Sequence, residues 1–172
     1  MADTQTVIEI TPPKGGRVHV VRVPVNPARD WQEAINAAGP DTPQNYNVRK
    51  VGDQYPPQLA EVAEEEIILV NFGRYIDDIQ VAVDWGKEQK LRPEDPRGTF
   101  AVGEHKPRLH RELGLSVMAI VSPQECSFEG RRFVCRVWLF GALRYCYLRW
   151  YGLGFLDYFW FAFVREDEPL AD

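Results

Sequence analysis

Three groups of side chains in this sequence are of types that could do chemistry. The segment GEHKPRLHRE, residues 103–112, gathers Glu104, His105, His110 and Glu112, residue types that ligate zinc or serve as general acid and base. Its histidines are five apart and straddle Pro107, so they do not share a helical face as the two histidines of an HExxH motif do. The spacing therefore favours a polar helix end, and a small hydrolase or transferase site around Glu104, His105 and His110 stands as an alternative.

The second group is the three cysteines, Cys126, Cys135 and Cys146. CSFEGRRFVC reads as a hairpin. With Gly130-Arg131 as a two-residue turn, Cys126 faces Cys135, close enough for a disulfide. With Glu129-Gly130 as the turn, Cys126 faces Phe133. Either register puts both thiols on one apolar face, shared with Phe133, Val137, Leu139, Cys146, Leu148 and Trp150. Reduced core thiols are the expectation and a Cys126–Cys135 disulfide is the alternative. No CxxC or partnered histidine is nearby, so no metal is expected there.

The third group is an alternation of arginine with large aromatics. Residues Arg132, Val134, Arg136, Trp138 and Phe140 share one strand face, and Leu143, Tyr145, Tyr147, Arg149 and Tyr151 share the facing one. If the loop before the last strand preserves parity, Tyr158, Trp160 and Ala162 join them, and Phe159, Phe161 and Phe163 go to the cysteine side. Arg136, Trp138, Tyr145, Tyr147, Arg149 and Trp160 are the candidate binding residues, because Arg, Tyr and Trp supply both buried area and a polar handle. Such a face suits a protein partner or a second copy of the chain. Single-stranded nucleic acid is the alternative ligand, through stacking of bases. No phosphate-binding glycine loop, GxSxG elbow or cofactor motif is present, and no cofactor is expected.

These side chains are positioned by a chain of 172 residues, 45% hydrophobic and 26% charged. That length fits a single domain over 1–172. The net charge of −5 argues against bulk attraction to DNA or anionic membranes. With no apolar run of membrane-spanning length, no basic leader ahead of an apolar stretch, and few cysteines, a cytoplasmic setting is expected.

The expected class is α+β: mixed strands and helices over 1–114, a four-stranded antiparallel meander over 115–165, and an acidic tail over 166–172. Strands are expected at 6–11, 17–23 and within YNVRKVG. EIILVNF (66–72) reads as a covered central strand. Asp30 should cap a helix from Trp31 that Gly39-Pro40 ends. A second helix is expected from Ile76 to Lys90. A third follows Asp95 with Pro96 at its first position, and a short one covers RLHREL. Turns are expected at Gly130-Arg131 and Gly141-Ala142.

Overall fold

The computed structural model describes residues 9–39 and 47–166. The chain forms β1 (Arg17–Val25), α1 (Trp31–Ala38), a 3₁₀ helix (Val48–Gln54), β2 (Ala63–Asn71), α2 (Gln80–Glu88), β3 (Leu91–Pro93), α3 (Pro96–His105), α4 (Leu109–Glu112), β4 (Val117–Phe128), β5 (Arg131–Phe140), β6 (Leu143–Trp150), a 3₁₀ turn (Tyr151–Leu153) and β7 (Phe159–Arg165). It is an α+β protein with one mixed sheet in the order β1-β2-β7-β4-β5-β6, with β3 pairing β7 outside that path.

The four-stranded meander is corrected in one respect. Strands β4, β5 and β6 are antiparallel neighbours, but β7 leaves β6, crosses to the far side of β4 and pairs with it in parallel, Ile120 opposite Trp160. On its other side β7 is antiparallel to β2, Phe161 opposite Val70. The reason lies in the segment FWFAFV, in which every residue is buried. A strand apolar on both faces needs neighbours on both edges and cover on both faces, which only the middle of a sheet supplies.

The helices follow their local signals. Asp30 accepts a hydrogen bond from the Glu33 amide at 3.2 Å, and Asp95 caps α3 through the Arg97 amide at 2.8 Å, with Pro96 in the first turn. Helix α2 starts later than expected, because Ile76 makes an isolated bridge with Phe155 instead. YNVRKVG does not supply a strand. Val48 and Val51 are its buried residues, a three-residue spacing that matches the 3₁₀ period. The Val48 carbonyl accepts from the Trp31 indole at 2.8 Å. The strand expected over 6–11 falls partly outside the described residues, and Glu9, Ile10 and Thr11 are not in a strand.

Two cores result, one on each face of the sheet. Under α1, α3, α4 and the first 3₁₀ helix lie Val21, Val23, Ile67, Leu69, Phe100, Val102, Met118, Ile120, the three cysteines, Trp160 and Ala162. On the other face, α2 and the segment before β7 cover Ile68, Val70, Ile79, Val121, Phe155, Phe159, Phe161 and Phe163. The parity expected for β7 is thus reversed. Trp160 and Ala162 go to the cysteine side, and the three phenylalanines lie on the arginine side.

The first hairpin turns at Glu129-Gly130, with Phe128 opposite Arg131 and Cys126 opposite Phe133. Both turn residues have positive φ, 50° and 75°, which matches the twist of the flanking strands. The second turns at Gly141-Ala142 as expected, Phe140 opposite Leu143, with Gly141 at φ 58°. At the sheet's outer edge, Gly39 lies against the β6 backbone. A Cβ there would stand 3.1 Å from the Arg144 carbonyl oxygen and 3.2 Å from the Cys146 amide nitrogen.

Candidate functional site

The histidine segment does not assemble into one site. Glu104 is paired with Arg29 at 2.8 Å, and His105 lies 3.4 Å from the same carboxylate. His110 is buried and engaged elsewhere, its Nε2 3.0 Å from the Gly141 carbonyl. Among the described residues, no group of three His, Cys, Asp or Glu side chains is placed to hold a metal ion.

The three thiols are free and buried. Cys146 points at the Ile35 carbonyl at 3.9 Å, and burial pushes its pKa well up. Cys126 and Cys135 touch. Hydrogen bonding from Cys135 holds Cys126 below the ordinary thiol range, whereas burial raises Cys135.

An acid pair beside β3 carries no sequence motif. Glu94 is 3% exposed. Its Oε1 accepts from the Asp95 amide at 2.7 Å, and its Oε2 has no donor. Its neighbour is a second carboxyl group, Glu65 on β2, which disfavours the charged form of Glu94. Burial, then Glu65, drives the Glu94 pKa up to about 10. Arg97, close in sequence, is occupied by the carbonyls of Arg29 and Tyr55, at 2.8 and 2.7 Å. The sequence RPEDPRG reads as a helix start, and nothing in it marks Glu94 as buried.

The arginine–aromatic face is built mainly by β5 and β6. Register sets Arg136 opposite Tyr147, Trp138 opposite Tyr145, and Val134 opposite Arg149. Five of the six candidate binding residues, Arg136, Trp138, Tyr145, Tyr147 and Arg149, therefore share one face. Trp160 does not join them. It is buried on the opposite face, capped by Arg17 at 5.1 Å. There it helps line a cavity of about 280 Å³ with Arg17, Asn71, Ser116 and Tyr158.

Cover over the arginine face is uneven. The segment 151–158 folds back over its middle: Phe155 packs on Phe159 and Phe161, and the Tyr151 hydroxyl donates to Asp78. Arg149 clamps this segment, its Nη2 and Nε bonding the Gly154 carbonyl at 2.9 and 3.2 Å. Toward the second hairpin the cover ends. Trp138 and Tyr145 are half-buried, and Trp138 packs edge-on against Tyr158. Phe140 and Leu143 are 51% and 49% exposed.

At the boundary between covered and open zones sits Arg136. It is 7% exposed. Its guanidinium lies 3.9 Å from the Tyr147 ring centroid, 5.3 Å from Trp138 and 5.4 Å from Phe159. Burial lowers its pKa to about 10, which leaves it a cation at neutral pH.

No family model, curated protein or solved structure matches this chain. Among the described residues no helix is long and apolar enough to cross a membrane.

Proposed function

We propose that this protein is an interaction module that docks a protein partner, or a second copy of itself, on the open wing of the β5–β6 face. The observation that carries this reading is the strip Phe140–Leu143, half-exposed and continuous with half-buried Trp138 and Tyr145 on the β5–β6 face. Interface cores are enriched in aromatic residues and arginine and poor in other charges, which is the composition of this wing. Arg149 serves as a clamp for the 151–158 segment, so its contribution to binding is indirect.

Single-stranded nucleic acid has weaker support. A polyanion needs a row of available cations, and Arg132 on this face is paired with Glu125 at 3.2 Å.

The test uses Phe140→Asp with Leu143→Asp. Both side chains are half out in solvent, so the double variant should keep the wild-type melting temperature. Self-association by sedimentation velocity, and partner retention by the tagged full-length chain, should fall at least tenfold. Unchanged association in a folded double variant would remove this face as the working surface. Binding of an oligo-dT strand with a steep salt slope would replace the protein partner with nucleic acid.

A further inference from the structure

Arg136 is a buried cation whose counter-charge the protein does not supply. Its Nε and Nη1 are shut off from solvent and have no hydrogen-bond partner. The groups that act on its charge are Tyr147, Arg149 and Tyr158, two phenols and another cation, with no carboxylate among them. Two acids on this side of the sheet are committed elsewhere: Glu125 to Arg132, and Asp78 to Tyr151.

Removing a guanidinium from water without an anion costs several kcal/mol. Three aromatic faces within 5.4 Å return part of that through cation–π attraction. They offset part of the charge, and Tyr147 also hydrogen-bonds the guanidinium, but Nε and Nη1 keep no acceptor. A buried N–H with no acceptor is costly in a native protein and calls for a specific explanation.

We infer that the docking segment presents an aspartate or glutamate side chain to Arg136, flanked by an aromatic or large apolar residue that lies on Phe140 and Leu143. This rests on the reading of the β5–β6 wing as a docking face, and it names the chemistry of the occupant. A guanidinium takes a carboxylate through two parallel hydrogen bonds, the strong charge-assisted arrangement. Along the same face, beyond Trp138 and Tyr145, the exposed surface is hydrocarbon from Phe140 and Leu143, which suits a short acidic–aromatic peptide and does not track a phosphate backbone. Tyr147 is half-buried on β6 and lies across the guanidinium. Its side chain must turn aside to admit the carboxylate, a scale of rearrangement common at interfaces.

The experiment titrates the full-length chain, ¹⁵N-labelled, with two capped tripeptides, Ac-Phe-Asp-Phe-NH₂ and Ac-Phe-Asn-Phe-NH₂. They differ only in the charge of one isosteric side chain. The Arg136 Nε–H signal, assigned through Arg136→Lys, is the readout. The aspartyl peptide should move that signal and bind at least tenfold tighter than the asparaginyl one. The gap should close in Arg136→Gln and persist in part in Arg136→Lys, which keeps a charge if the glutamine variant folds poorly.

Equal affinity of the two peptides, or a silent Arg136 signal with both, overturns the carboxylate. So does an oligo-dT strand moving the signal where the peptides do not. If the peptides fail while Phe140→Asp with Leu143→Asp still abolishes association, the docking face stands and only the carboxylate is lost. If that double variant associates normally, the docking face itself has failed.

Discussion

Replacing Glu94 by Gln should make the protein more stable, by an amount set by pH. The folded protein holds a proton on Glu94 up to a pKa of about 10, against 4.5 for the carboxyl group in an unperturbed setting. Above pH 4.5 the unfolded chain releases that proton and the folded chain keeps it, so rising pH favours unfolding until the folded carboxyl itself ionises. Each pH unit in that window is worth about 1.4 kcal/mol. At pH 7 the accumulated cost is therefore about 3 kcal/mol, and at pH 4 it is close to nothing. Glutamine does not ionise in either state. Its carbonyl oxygen can accept from the Asp95 amide as Oε1 does, and its neutral amide removes the buried charge. Urea melts at pH 4, 5.5, 7 and 8.5 measure the difference directly. Wild type and variant should coincide at pH 4 and diverge steadily above it. In thermal melts at pH 7 the variant should unfold about 6–12 °C higher, at the 2–4 °C per kcal/mol typical of this chain length. A variant less stable than wild type at pH 8.5, or a difference that does not change with pH, would refute a buried Glu94 that keeps its proton at neutral pH.

Arg149→Ala should destabilise the fold by about 2 kcal/mol, since it frees the Gly154 and Leu153 carbonyls from a charged donor. Chemical denaturation checks this, and Arg149→Lys should recover little because lysine lacks the fork. Trp138→Ala should cost stability as well as association, about 2–3 kcal/mol in melts, because the ring packs on both Tyr158 and Arg136; this is below the cost of a fully buried tryptophan. Thiol labelling of the native, reduced protein should be slow at Cys126, Cys135 and Cys146 alike, and fast labelling of any of them would contradict their burial. Asp30→Ala should remove about 1 kcal/mol through the lost α1 cap, read from thermal melts.

What the sequence made legible was local. Capping chemistry at Asp30 and Asp95, the Gly141-Ala142 turn and the alternation along β5 and β6 each depend on residues a few positions apart, and each is present. The paired arginines and aromatics of that face were legible for the same reason. The misplaced elements depend on distant partners. The run YFWFAFV carries its own clue, apolar on both faces, yet it reads equally as the last strand of a meander until something decides which strands flank it. Placing it between β2 and β4 also reverses its parity, and Trp160 leaves the arginine face with it. Glu129-Gly130 and Gly130-Arg131 are both acceptable two-residue turns, and the choice shifts every pair of that hairpin by two residues while leaving each side chain on its face, so Cys126 opposes Phe133 instead of Cys135. Glu94 was invisible because nothing near it in sequence predicts that its carboxyl group is buried with Glu65, far back on β2, as a neighbour.

The place of β7 between β2 and β4 has a consequence for how the molecule is made. The sheet consists of two half-sheets, β1–β2 and β4–β5–β6, and the strand that joins them follows both in the chain. While the chain emerges from the ribosome, both halves can form before the last strand is out: β4, β5 and β6 pair through tight hairpins, and β1 and β2 pair across the intervening α1 and 3₁₀ helix. Until Phe159–Arg165 emerges, β2 and β4 each present an unpaired backbone edge, and Ile68, Val70, Ile120 and Val121 lack the neighbours that bury them. Such edges recruit other strands. The nascent protein is therefore most exposed to aggregation just before its final strand is released, and a ribosome-stalled chain ending before Phe159 should bind chaperones far more strongly than one that includes Arg165.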